Sequence, residues 1–115
     1  MSAGAPQPSL SFEERFAALS RDWRSQLPAK LAEARSLMDA CRADPQHAGK
    51  LEDLHRLLHT LAGSAGTFGL GDVGARARTA EHELDRVMEL PVRDTAAFDQ
   101  AQQLLLELLA HAPQE

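Results

Sequence analysis

A histidine followed at four, seven and ten residues by glycine is an unusual combination inside a helical pattern. The stretch Leu58-His59-Thr60-Leu61-Ala62-Gly63-Ser64-Ala65-Gly66-Thr67-Phe68-Gly69 carries it. Each glycine in a helix interior costs roughly 0.5–1 kcal/mol relative to alanine, because a flexible backbone is frozen without a side chain to bury. The gain that could offset this is access to the imidazole. A neutral imidazole with one unshielded nitrogen is a nucleophile near neutral pH, and it can accept a phosphoryl group and release it again.

Helical geometry says which way that ring points. Successive residues advance about 100° around a helix axis. With His59 at zero, Leu54, Leu57, Leu58, Leu61, Ala65 and Phe68 all lie between about 100° and 180° away and form one apolar face. Glu52, His55, Gly63 and Gly66 fall within about 40° of the histidine, on the solvent side. Helical side chains lean toward the amino terminus, so residues after position 59 shade the ring more than those before it. Gly63, Gly66 and the small Ala62 therefore predict a clearing beside His59. A single surface histidine carries no function by itself, and the glycines could instead serve close helix packing. Positions 63 and 66, however, lie opposite the apolar stripe, where no core neighbour is expected.

The rest of the chain must hold this helix. Its 115 residues make one domain, with 25% charged and 43% apolar residues. Isoleucine is absent, valine is rare, and Leu, Ala, Glu, Arg and Gln dominate, which predicts an all-α fold. A net charge of −5 argues against a general nucleic-acid binder. The single Cys41 excludes an internal disulfide framework and a multi-cysteine zinc site, and is expected in the core. No secretory n-region and no long apolar run is present, so a cytoplasmic protein with no membrane association is expected.

Residues 1–10 read as a flexible tail and 11–112 as the folded domain. Ser11 and Glu14 match a capping box, and Phe12, Phe16, Leu19 and Trp23 recur at helical spacing, which predicts a helix over about 11–26. Pro28 either starts a second helix or kinks a continuous one, and the stripe then continues to about residue 43. Asp44-Pro45 is expected to open a helix, beginning there or a few residues later, that reaches about residue 67. Gly69, Gly71 and Asp72 mark the turn and cap before a helix over 73–88, and Asp94 or Thr95 caps a final one that ends before Pro113. The predicted architecture is an antiparallel four-helix bundle with an additional N-terminal helix.

At this level of detail the stretch 58–69, followed by Val73 and then Ala80-Glu81, resembles the signature of histidine-containing phosphotransfer (HPt) domains of bacterial two-component phosphorelays. The signature spans about 25 residues, and the helix pattern extends the likeness over most of the chain. The resemblance implies that His59 is the phosphoryl acceptor of a carrier without autokinase activity and without cofactors. It implies that Gly63 and Gly66 clear space for a receiver domain, and that Glu81 faces the histidine from the next helix. The receiver would bring both the metal and the catalytic carboxylates. Partners would be a response-regulator receiver and a hybrid histidine kinase, met at His55, Arg56, Gly63, Gly66 and Thr67 by a monomeric chain.

One position departs from the pattern. Many family members have lysine three residues after the histidine, where this chain has Ala62. Arg56 should lean away from His59, whereas Arg78, three residues before Glu81, shares its face and could partly supply the missing charge. Other chemistries fare less well. His55 and His59 have a zinc-compatible spacing, but only Glu52 is near as a third ligand on the same helix, so no metal is expected. His47, His82 and His111 read as surface residues. The cluster Arg76, Arg78 and Arg86 leaves a second class of function open, a helical adaptor that docks a receiver or kinase without transferring phosphate.

Overall fold

A computed structural model describes residues 11–113, and the expected tail over 1–10 lies outside them. Four helices pack together: α1 (Phe12–Ala43), α2 (Ala48–Ser64), α3 (Gly71–Met88) and α4 (Asp99–His111), the last entered through a 3-10 turn at Thr95–Phe98. No separate N-terminal helix precedes these four among the described residues, which corrects the five-helix expectation. The two predicted N-terminal helices are one, and Pro28 lies within it. The reason is phase. Phe12, Phe16, Leu19, Trp23, Leu27, Leu31, Ala34, Met38 and Cys41 recur every three or four residues straight through the proline. Burial of Leu27 and Leu31 on either side of it offsets the lost backbone bond.

The start of α1 is set by the predicted capping box. Ser11 Oγ accepts from the Glu14 backbone N–H at 3.0 Å, and the Glu14 carboxylate accepts from the Ser11 N–H at 2.9 Å. That backbone donor holds the Glu14 carboxyl below its usual range. The first turns of α1 have little to pack on. Phe12 and Leu19 are 71% and 59% exposed, whereas Phe16 and Trp23 lie against the Phe68 ring at centroid distances of 5.7 and 5.5 Å.

Adjacent helices run in opposite directions, as cross-helix pairs demonstrate. His55 meets Asp85, His59 meets Glu81 and Ala62 meets Arg78 between α2 and α3. Arg24 reaches Phe68 between α1 and the end of α2, and Arg42 pairs with Asp99 between α1 and α4. The enclosed core is aliphatic apart from Phe98, and is built on Leu54, Leu58, Leu61, Ala77, Leu84, Phe98, Leu105 and Leu108. Cys41 lies in it, and burial pushes its thiol up to about 11, which keeps it protonated and unreactive.

Two boundaries differ from expectation, and a third takes the later of its two expected starts. Helix α2 begins at Ala48, and its N-cap is His47, whose Nδ1 accepts from the Lys50 N–H at 3.2 Å, so Asp44 does not cap it. It ends at Ser64 and not near 67, because the chain turns over 65–69 and the Leu70 N–H returns to the Ala65 carbonyl at 2.8 Å. Helix α3 has Leu70 at its N-cap and no side-chain cap, and Asp72 instead pairs with Arg76 in the first turn. At the other end of the bundle Asp94 caps the 3-10 turn by accepting from the Ala97 N–H, as its sequence position suggests.

Gly69 makes the α2–α3 turn possible. Its φ is +84°, and a Cβ there would lie 2.8 Å from Arg24 Nη2, the group that donates to the Phe68 carbonyl at 2.8 Å. Gly69→Ala is expected to lose about 1–2 kcal/mol of stability, from left-handed strain and a displaced Arg24. Urea unfolding read by helical circular dichroism checks this. An unchanged midpoint would mean that the turn relaxes freely.

Candidate functional site

The site grows from the opposed faces of α2. Leu54, Leu58 and Leu61 are fully buried and fix the helix against its neighbours, which turns the other side to solvent. His59 projects there with its side chain 69% exposed. Positions 55 and 62 lie on the edge of that side which meets α3.

The facing helix supplies an acid. Helix α3 buries Val73, Ala77, Ala80, Leu84 and Val87, and Glu81 stands at the margin of this stripe. It is the one buried charged residue among the described residues. A buried carboxylate needs a donor. Glu81 finds it in His59, whose Nδ1 lies 2.6 Å from Oε2. An ionised carboxylate only accepts, so the proton belongs on Nδ1 and the lone pair on Nε2, the far side of the ring. The arrangement thus yields an exposed imidazole with a defined tautomer and its nucleophilic nitrogen directed away from the acid.

Among the described residues the glycines beside it do not serve packing. A Cβ built on Gly63 or Gly66 would meet nothing within 4 Å. Close approach of α2 and α3 occurs instead at Gly74, where a Cβ would lie 3.5 Å from the Ala62 carbonyl, the Ala65 Cβ and the Gly66 nitrogen. Thr67 is exposed in the following turn. Ala62 departs from the expected clearing. It is buried, because its position on the wheel turns it into the α2–α3 seam.

Arg78 crosses that same seam. Its Nη2 donates to the Ala62 carbonyl at 3.2 Å, which holds an exposed guanidinium one turn from Glu81. Arg56 extends the other way, with Nη1 3.1 Å from Asp53. Arg76 and Arg86 are engaged by Asp72 and Glu83, so the three arginines do not act as one basic patch. His82 is exposed, and His111 bonds its own helix at Glu107.

Sequence reasoning missed the partner of His55. Its Nε2 lies 2.6 Å from Asp85 Oδ1 and 3.8 Å from Glu81 Oε2. The available signal was a matched spacing, His55 and His59 four apart on α2 and Glu81 and Asp85 four apart on α3. An open groove of about 400 Å³ runs along this face between Glu52, His55, Arg56, His59, Glu81 and Met88. Among the described residues no group of three or more His, Cys, Asp or Glu side chains is arranged to hold a metal ion, and no helix is long and apolar enough to cross a membrane.

Comparison with known proteins places the chain. A family model described as Hpt domain matches residues 18–113, most of the sequence. No curated protein matches the chain. No solved structure does either.

Proposed function

Since the chain belongs to the Hpt domain family, we propose that it is a phosphorelay intermediate in which His59 receives a phosphoryl group from a receiver-domain aspartate and passes it to another. In the forward step His59 Nε2 attacks phosphorus, the bond from phosphorus to the aspartyl oxygen breaks, and the carboxylate leaves with the electron pair. The ring then carries both the phosphoryl group on Nε2 and the proton on Nδ1. Its new positive charge falls 2.6 Å from the Glu81 carboxylate. The reverse step hands the group to a second aspartate by the same path. Kinase chemistry and metal binding are assigned to the partners.

One observation carries this reading: an exposed imidazole, oriented by a buried acid, beside two glycines whose missing side chains leave open space. A receiver must close its own active site over His59, and bulk at 63 or 66 would meet it first. His55, Arg56 and Thr67 border the same surface and are assigned to docking. The chain acts as a monomer in the cytoplasm, supplied by a hybrid histidine kinase and drained by a response regulator.

The test is incubation with a receiver carrying labelled aspartyl phosphate. The chain should gain label that is acid-labile and alkali-stable, the signature of a phosphorus–nitrogen bond. An adaptor that docks without transfer would bind the receiver and gain none, and that result would replace this reading.

Arg78 is assigned the charge that Ala62 lacks. A guanidinium held over the seam can swing from the Ala62 carbonyl to phosphoryl oxygens. Arg78→Ala is expected to slow transfer to His59 by about three- to tenfold, roughly the worth of one charge-assisted hydrogen bond. Unchanged rate and unchanged phosphohistidine lifetime would reduce Arg78 to a surface charge.

A further inference from the structure

The acid behind His59 is not alone. Glu81 Oε2 lies between two imidazoles, 2.6 Å from His59 Nδ1 and 3.8 Å from His55 Nε2, and His55 Nε2 is itself 2.6 Å from Asp85 Oδ1. Two histidines four apart on α2 thus interleave with two carboxylates four apart on α3. We propose that His55 is a positioning residue for His59, acting through Glu81 to keep the proton on His59 Nδ1 and the lone pair on Nε2.

Glu81 and Asp85 are like charges one turn apart on a helix, an arrangement that repels. Asp85 is half exposed and free to turn to water, whereas Glu81 is buried and is not. The His55 N–H, held by Asp85, lies 3.8 Å from Oε2, the same carboxylate oxygen that contacts His59. It lessens the repulsion and, lining the groove beside Glu81, takes up space from which water would otherwise approach the carboxylate. The His55 side chain is 25% exposed and lines that groove beside Glu81. Without it, water competes for Oε2 and the side chain gains other orientations. The hold on His59 Nδ1 then slackens, and the tautomer with the proton on Nε2, which cannot attack phosphorus, becomes populated.

The inference rests on His59 being the phosphoryl acceptor, and its test separates the two. Nitrogen-15 imidazole spectra of the unphosphorylated protein read the tautomer of His59 directly. Wild type should show Nδ1–H alone, and His55→Ala should show a mixture with about a fifth or more of the ring as Nε2–H. Phosphorylation by phosphoramidate, which needs no docking surface, should slow in His55→Ala by about three- to tenfold as the competent fraction and its orientation fall. In that reaction Nε2 attacks phosphorus and the donor's phosphorus–nitrogen bond breaks to release ammonia. His55→Gln, whose amide can donate toward the same oxygens, should recover most of both. Asp85→Ala, at an exposed position on the other helix, should reproduce the His55→Ala spectrum and covers the case in which that variant does not fold. If His59 keeps wild-type nitrogen shifts in the folded variants, the inference is overturned. If the tautomer responds as expected but no receiver transfers phosphate to wild type, the relay reading fails and the positioning stands.

Discussion

His59→Gln is expected to abolish phosphoryl acceptance, leaving at least about a thousandfold less label than wild type after equal exposure to a phosphorylated receiver. The argument is chemical. A glutamine amide has no basic nitrogen, because its lone pair is delocalised into the carbonyl, and its oxygen is a poor nucleophile toward phosphorus. No other side chain on this surface can take over. His55 Nε2 is held by Asp85 at 2.6 Å and lacks the glycine clearing, and Ser64 has no neighbouring base among the contacts seen. Most of the His59 side chain is in water, so its replacement should leave the fold and receiver affinity nearly unchanged. Transfer assays paired with a binding isotherm check both halves. Persistent acid-labile label on the variant would assign the acceptor to a different residue.

The second large effect concerns the acid. Glu81→Gln should slow transfer by about tenfold to a hundredfold, equivalent to roughly 1.4–2.7 kcal/mol of barrier. The neutral amide no longer balances the charge that the ring acquires when phosphorus bonds Nε2. It can also present an N–H to Nδ1, which would hold the proton on Nε2 and remove the nucleophile altogether. Stability should move the opposite way or hardly at all. Burial of Glu81 carries a desolvation penalty, and its neutral replacement does not. A slower rate with unchanged or raised urea midpoint is therefore the expected pair of results. Wild-type transfer rates in a folded Glu81→Gln protein would mean that the 2.6 Å contact plays no part in the chemistry.

The elements of this fold were legible in proportion to how local their causes are. The Ser11–Glu14 cap, the apolar stripe of α2 and the solvent-facing placement of His59 all follow from residue spacing along one helix. The same stripe carries α1 through Pro28, but a proline gives a strong local signal for a break, and only burial of Leu27 and Leu31 against the other helices outweighs it. The end of α2 was misjudged for a similar reason. Ala65 and Phe68 continue the apolar stripe of α2, yet the Phe68 ring is drawn to Phe16 and Trp23, and Gly69 allows the turn that puts it there.

Sequence alone determined that this chain is helical and that one imidazole faces water beside bare backbone; that Glu81 faces it was implied only by the family resemblance. Tertiary structure decided the axial register of α2 against α3, and with it the pairing of His59 with Glu81, of His55 with Asp85 and of Arg78 with the Ala62 carbonyl. Periodicity fixes the angle at which a side chain leaves its helix. How far one helix slides along another depends on interdigitated side chains and on the turn that joins them, and neither is written in the spacing of a single segment.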